Sequence, residues 1–407
     1  MPSETVTFVG SQSRDQRGTN ATRVRAWNER LVLGTIRRLG PLPKAELARL
    51  TGLSAQTVSV IVRALEADGL LVRQARLRGR VGQPSVPFAL APDGAFALGF
   101  KIGRRSADLV LLDFVGNVRA TRRFAYAFPR WPVLRDFAVE GLLALAAELP
   151  EPWQPRIVGL GVAMPYEMWN WPQETGAPAA ELAHWREVDV AADLSARLPW
   201  PIQLCNDATA ACGAELVFGG SGRFRDSVYF HIGAFIGGGV VLGGSLYLGT
   251  RNNAGALGSM PVPLATGGAR QLIQRASLYL LERACRDAGL DPSRIWLSPE
   301  HWDEELSLVD SWMEEAADAL AYAIAAACAV IDFEAAIIDG ALPPGLRRRL
   351  VERVRDRFAR IDRQGLSAVA IEEGRIGAFA RAIGGATLPL LANFALDREI
   401  LMAESRS

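Results

Sequence analysis

Residues Pro41 to Val72 read PLPKAELARLTGLSAQTVSVIVRALEADGLLV. Two short helices joined by a tight turn and followed by a strand account for this pattern, the arrangement that presents a recognition helix to DNA. Lys44 to Thr51 is helix-compatible, with Leu47 and Leu50 apolar and Ala48 small. Gly52 suits a left-handed helix end. Ser54 stands where an N-cap hydroxyl can hold a free amide of the next helix. Val58, Ile61, Val62 and Leu65 follow the i, i+3, i+4, i+7 spacing of one buried face. Gln56, Thr57, Ser59 and Arg63 fall on the other face, where they can hydrogen-bond base edges or phosphates. Ser54 and these four are the candidate recognition residues. Gly69 ends the helix, and Leu70 to Val72 reads as a strand.

An upstream helix over about Arg25 to Leu39 adds Val32, Leu33 and Ile36 to the same small core. Downstream, the basic, Gly-punctuated run Arg73 to Pro84 reads as a wing, with Arg76, Arg78 and Arg80 able to reach phosphates or a narrow minor groove. The alternative is a small helical bundle with a charged surface loop. Charge favours DNA. Residues 1–90 carry 14 Arg and Lys against 6 Asp and Glu, whereas the whole chain has a net charge of only +1. A basic head therefore rides on an acidic body, the footprint of a polyanion partner at one end.

At 407 residues the chain is long enough for two or three domains. Its four cysteines (Cys205, Cys212, Cys285, Cys328) have no CxxC spacing and its histidines are His184, His231 and His301, so no metal site is expected. The polar N-terminus lacks an apolar signal core, and the most apolar run, Ala316 to Ile338, is interrupted by Asp318, Asp332 and Glu334. A cytoplasmic protein without membrane contact is expected. The domain reading is an arm over residues 1–20, a winged helix-turn-helix over 21–90 and a body over 91–407. In the body, strands are expected near residues 96–102, 107–114, 118–126, 157–163, 202–205, 227–232, 238–242 and 335–339. Helices are expected near residues 136–149, 188–198, 208–218, 269–288, 307–331, 344–360 and 383–392. Successive strand–helix units imply two α/β lobes with a cleft between them.

Several short motifs recur in a specific order: Cys205-Asn206-Asp207-Ala208 with Gly213-Ala214-Glu215, the loop Gly233 to Gly239, Ala254 to Gly258, Ile337 to Ala341, and Gly384-Gly385-Ala386. With the helix-turn-helix they resemble the ROK-family transcriptional regulators, over about residues 25 to 395. The resemblance implies an α/β fold: an N-terminal winged helix-turn-helix plus a two-lobed actin/hexokinase-like body. It also implies a homodimer or homotetramer, a double-stranded DNA operator and a small-molecule effector, a sugar or sugar derivative.

The departures from the family are informative. Its kinases open the body with an Asp-x-Gly-Gly-Thr phosphate loop, and Lys101-Ile102-Gly103-Arg104-Arg105-Ser106 stands there. Bare amides approach phosphate in such a loop; two arginines crowd it, and Lys101 replaces the carboxylate. These cations either hold a phosphorylated effector or are solvated remnants, the reading preferred from sequence. In both cases no kinase turnover, catalytic residue or cofactor is expected. Asn206 and Asp207 match the family's sugar-binding pair, whose Asp is the general base in the kinases, although an Asx pair can equally cap the following helix. The family's Glu and His contacts fall on Ala256 and Ser259, its Cys-rich zinc loop on Thr266 to Ile273, and its sugar-contacting Glu on Ile273. The candidate effector site is therefore Asn206, Asp207, Gly237, Gly238 and Ser259.

Trp169, Trp171, Trp185 and Trp200 surround the loop after Met164-Pro165, where Tyr166 replaces a family Gly; filling a core or interface is preferred over stacking on a ligand. His231, beside the Gly-rich loop, reads as a buried hydrogen-bonded side chain rather than a catalyst. Three readings remain: an effector-controlled regulator, expected to be a repressor, an active sugar kinase with a DNA-binding head, and a DNA-binding protein whose body only oligomerises.

Overall fold

The computed structural model describes residues 21–75, 86–165, 167–169, 176–251, 253–298, 302 and 306–395. The expectations for Arg76, Arg78, Arg80, Tyr166, Trp171, His301 and the 1–20 arm lie outside the described residues.

The head begins with helix α1 (Ala21–Leu39), strand β1 (Leu42–Pro43), helix α2 (Lys44–Thr51) and helix α3 (Ala55–Ala67). Gly52 is left-handed at φ 71°, and its amide donates to the Ala48 carbonyl at 3.0 Å, closing α2. The Ser54 hydroxyl accepts from the Thr57 amide at 3.1 Å, starting α3. Strands β2 (Leu71–Arg73) and β3 (Pro87–Leu90) pair antiparallel, and β1 joins the other edge of β3. These strands flank residues 76–85. A 3-10 turn at Pro92–Gly94 leads into the body.

The body contains two five-stranded sheets built to one plan. The first runs β6-β5-β4-β7-β8, from β4 (Phe96–Ile102), β5 (Ser106–Asp113), β6 (Val118–Ala125), β7 (Ile157–Met164) and β8 (Ile202–Asn206). The second runs β11-β10-β9-β14-β15, from β9 (Ser227–Ile232), β10 (Gly237–Leu242), β11 (Ser245–Tyr247), β14 (Ala335–Gly340) and β15 (Ala370–Glu373). In each, an antiparallel three-strand meander continues into two parallel strands. Strands β4, β5 and β14 are buried at every position, so the charged side chains they carry, Lys101, Asp108 and Asp339 among them, are paired inside the fold. A small two-stranded ribbon, β12 (Pro261–Pro263) with β13 (Ala269–Gln271), lies in the second lobe.

The helix expected over 269–288 is not continuous. After β13 the chain forms a short helix, Ile273–Ala276, breaks at Ser277 in extended conformation (ψ 151°), and resumes as Leu278–Asp287. The break is held by tertiary bonds: Ser277 Oγ accepts from the Ile236 amide at 3.0 Å, and its carbonyl accepts from Trp312 Nε1 at 3.1 Å. The expected 188–198 helix shortens to Val190–Ser195. Strands β1, β3, β11, β12, β13 and β15 have no counterpart in the sequence reading, because strands of two to four residues carry little periodicity.

Helix Ala380–Phe394 packs on β4, β7 and the Asp207–Ala214 helix. It approaches so closely that a Cβ on Gly161 would lie 1.8 Å from the Gly385 carbonyl oxygen, and one on Gly384 would lie 2.0 Å from that of Ala210. Head and body share one apolar core: Val32, Leu33 and Ile36 of α1 belong to the same buried cluster as Phe114, Ile383 and Leu390. Among the described residues no helix is long and apolar enough to cross a membrane.

Candidate functional site

Cleft residues from both lobes converge on a cavity of about 180 Å3. Asn206, Asp207, Gly237, Gly238 and Ser259 all line it, with Arg104, His231, Phe235, Ile273 and Arg381. Asn206 ends β8 and caps the next helix: its Oδ1 accepts from the amides of Ala208 and Thr209 at 3.1 and 3.3 Å. Asp207 carries an unexpected partner. Arg381 Nη1, from the first turn of the 380–394 helix, donates to its Oδ2 at 2.8 Å. Ile273 is buried at the wall, giving an apolar surface where the family carries a Glu.

The altered loop is neither open nor solvated, which corrects the preferred sequence reading. Lys101, Arg104 and Arg105 are only 5%, 8% and 8% exposed. Lys101 Nζ donates to the carbonyl and hydroxyl oxygens of Ser106 at 2.9 and 2.8 Å and lies 3.1 Å from Asp108. Burial pulls the Lys101 pKa down to about 8, against the pull of Asp108. Burial opposes the Asp108 charge, but facing Lys101 and Arg123 outweigh it and hold that carboxyl below its ordinary value. The Lys101 ammonium lies against the loop backbone, since a Cβ on Gly103 would be 2.5 Å from its Nζ. Arg104 crosses the cleft over the Phe235 ring, 4.6 Å from its centroid, and donates to the carbonyls of Glu167 and Met168. Arg105 crosses it as well and binds both oxygens of Glu282, at 3.1 and 3.0 Å. A cation alone in a protein interior is costly, and here Arg105 takes a carboxylate across the gap while Arg104 takes carbonyls of its own lobe and the Phe235 ring across it.

Below the cavity, His231 contacts the Tyr229 hydroxyl at 3.2 Å, and Tyr229 donates to Asp339 at 3.0 Å. Sequence reasoning placed His231 beside the Gly-rich loop without assigning it to the cleft, and it missed Arg381. The only signal for Arg381 was its place just before Gly384-Gly385, where the backbone is pressed into the body. Trp185 is buried, edge-on to Trp131 with ring centroids 5.8 Å apart, and Trp169 and Trp200 pack against the same first-lobe core. No group of His, Cys, Asp and Glu able to hold a metal occurs among the described residues.

On the head, Gln56 and Arg63 are exposed on α3, and Thr57 and Ser59 are half-buried. Ser54 is exposed, with its hydroxyl on the helix start, and Lys44 Nζ reaches Ser59 Oγ at 3.3 Å.

A winged helix set on a two-lobed, sugar-kinase-like body with a polar interlobe cavity defines the class: a helix-turn-helix protein with a sugar-kinase-like body. The chain belongs to the ROK family, which residues 97–390 match, while residues 26–80 match the MarR family. It is 28% identical to the uncharacterized protein y4fQ of Sinorhizobium fredii over 90% of this chain and 91% of that one. It is 23% identical to the xylose repressor of Bacillus subtilis, over 59% of this chain and 62% of the repressor. Among solved structures, a ROK family transcriptional regulator homologous to the E. coli Mlc protein superposes with a TM-score of 0.62 at 20% identity, covering 91% of this chain and 97% of that one.

Proposed function

We propose that this chain is a DNA-binding transcriptional repressor of sugar metabolism, released or engaged by a polyhydroxylated small molecule in the interlobe cavity. The observation that carries this reading is a single helix with two ends. Near its start, Arg381 holds Asp207 in the cavity. At its far end, Phe394 packs edge-on to Phe114 at 4.8 Å, and Arg37 of α1 donates to the Phe114 carbonyl at 2.9 Å. Thirteen residues of helix span roughly 20 Å. A ligand that draws Asp207 away from Arg381 therefore acts on the helix that seats the DNA-binding head.

Gln56, Thr57, Ser59 and Arg63 read the operator in this scheme, Ser54 fixes the helix that presents them, and Arg76, Arg78 and Arg80 supply wing contacts. A symmetric homodimer would set two heads on two half-sites. The similarity to a xylose repressor makes a pentose the first effector to test. Phosphoryl transfer is excluded from this reading, because Arg381 occupies the would-be base and Lys101 fills the would-be phosphate loop.

The test is operator binding by the full chain, using DNA selected from a random pool, titrated with D-xylose, D-glucose and xylitol. A ligand-dependent change in DNA affinity supports the reading. DNA binding that no sugar or polyol alters would favour a body that only oligomerises, and sugar-dependent ATP consumption would favour a kinase.

A further inference from the structure

Two buried atoms at the cavity, His231 Nε2 and Arg381 Nε, have no hydrogen-bond partner within the protein. His231 is 1% exposed, so this is a fully interior acceptor or donor left open. Its character follows from the chain of bonds behind it. Asp339 accepts from Arg347 Nη1 at 3.0 Å and from the Gly377 amide at 3.1 Å, and is an acceptor for Tyr229 as well. The one phenolic proton of Tyr229 is thus spent on Asp339. At 3.2 Å, His231 Nδ1 can meet the Tyr229 oxygen only by donating to it. Burial, then the neighbouring cations Arg381, Lys101 and Arg347, hold the His231 pKa well below its ordinary value, so the ring is neutral. A neutral ring with its proton on Nδ1 carries a lone pair on Nε2.

Resting on the reading of the cavity as an effector site, we propose that His231 and Arg381 are its specificity-determining floor, and that they select a ligand hydroxyl. A hydroxyl can donate to His231 Nε2 and accept from Arg381 Nε, whereas an ionised carboxylate or phosphate oxygen has no proton to give. Asp207 accepts a second hydroxyl. The ligand class is an uncharged sugar or polyol, recognised through a proton-relay wall absent from the Ala256, Ser259 and Ile273 side, where polar contacts are lost.

The experiment is calorimetric titration of the full chain with D-xylose, xylitol and dimethyl phosphate, a phosphate anion that carries no P–OH. His231→Phe, which keeps a ring and removes the acceptor, is expected to weaken xylose or xylitol by at least ~10-fold. His231→Gln, which can present an amide oxygen, is expected to recover most of that loss. Tyr229→Phe, which frees the tautomer, should fall between them. Ligand-free DNA binding serves as the folding control. Imidazole 15N spectra of the wild type should show an unprotonated Nε2 that shifts on polyol addition but not on dimethyl phosphate addition. Unchanged polyol affinity in His231→Phe, a protonated Nε2, or dimethyl phosphate binding tighter than either polyol overturns the assignment while the cleft reading stands. If neither polyol binds the wild type, the cleft reading fails and this one with it.

Discussion

Arg381 Nη1 lies 2.8 Å from Asp207 Oδ2, so the carboxylate that would take a proton in a kinase of this family is held by an arginine from the last described helix. The pair sits at the cavity wall with both side chains largely buried. Its partners come from positions 174 residues apart.

Removing one member of that pair leaves a charge without its partner. Arg381→Ala is expected to lower stability by roughly 3 kcal/mol, read from urea denaturation. It is also expected to gain no sugar-dependent ATP consumption, because Lys101 still fills the loop. A denaturation midpoint equal to wild type would sink the structural half of this prediction, and ATP turnover the other half.

Arg105 and Glu282 tie the two lobes together across the cleft. A double-mutant cycle with Arg105→Met and Glu282→Gln should give a coupling energy of about 1–3 kcal/mol, since both groups are buried and the Arg105 Nε–H is shared between the two carboxylate oxygens. Additive effects would mean that the contact holds nothing.

Glu215 gives the stability curve a predictable slope. Its carboxylate accepts from the Arg375 and Ile376 amides at 2.9 and 3.4 Å, but burial pushes its pKa up to about 7. The folded state therefore favours the protonated acid. This contribution is fully present below the unfolded value near 4.5 and is lost as pH rises through 7, a change of roughly 3 kcal/mol. Glu215→Gln keeps the amide contacts and should flatten that interval in melting measurements from pH 4.5 to 8. An unchanged slope would count against the protonated form.

Arg63 projects from the exposed face of α3. Arg63→Ala should cost about 1–3 kcal/mol for selected operator DNA and much less for scrambled DNA in fluorescence anisotropy. Equal losses on both would demote Arg63 to a phosphate contact.

Gly384 has no room for a side chain, because its Cβ would lie 2.0 Å from the Ala210 carbonyl oxygen. Backbone cannot be repacked as a flexible side chain can. Gly384→Ala is expected to cost more than ~4 kcal/mol, seen as loss of soluble folded protein.

The local features of the head were legible because they are written within a few residues. The buried stripe Val58, Ile61, Val62 and Leu65, the cap Ser54 and the left-handed Gly52 each depend on near neighbours. The body's motif order is also legible, and Asn206, Asp207, Gly237, Gly238 and Ser259, which it marks out, line one cavity. The charges of the altered loop were read as solvated because composition alone makes exposure the default for arginine and lysine. The helix over 269–288 was read as continuous because Ser277 looks unremarkable until the Gly-rich loop is packed against it.

By itself, the sequence determined a DNA-binding head on a sugar-kinase-like body, since helix periodicity, caps and motif order are properties of the chain. Only the tertiary structure decided what the substituted residues do. Arg105 meets Glu282 across 177 positions, Tyr229 meets Asp339 across 110, and Arg381 meets Asp207 across 174. The partner of a buried charge is set by which lobes close on it, and the cost of leaving it unpaired makes that choice strict.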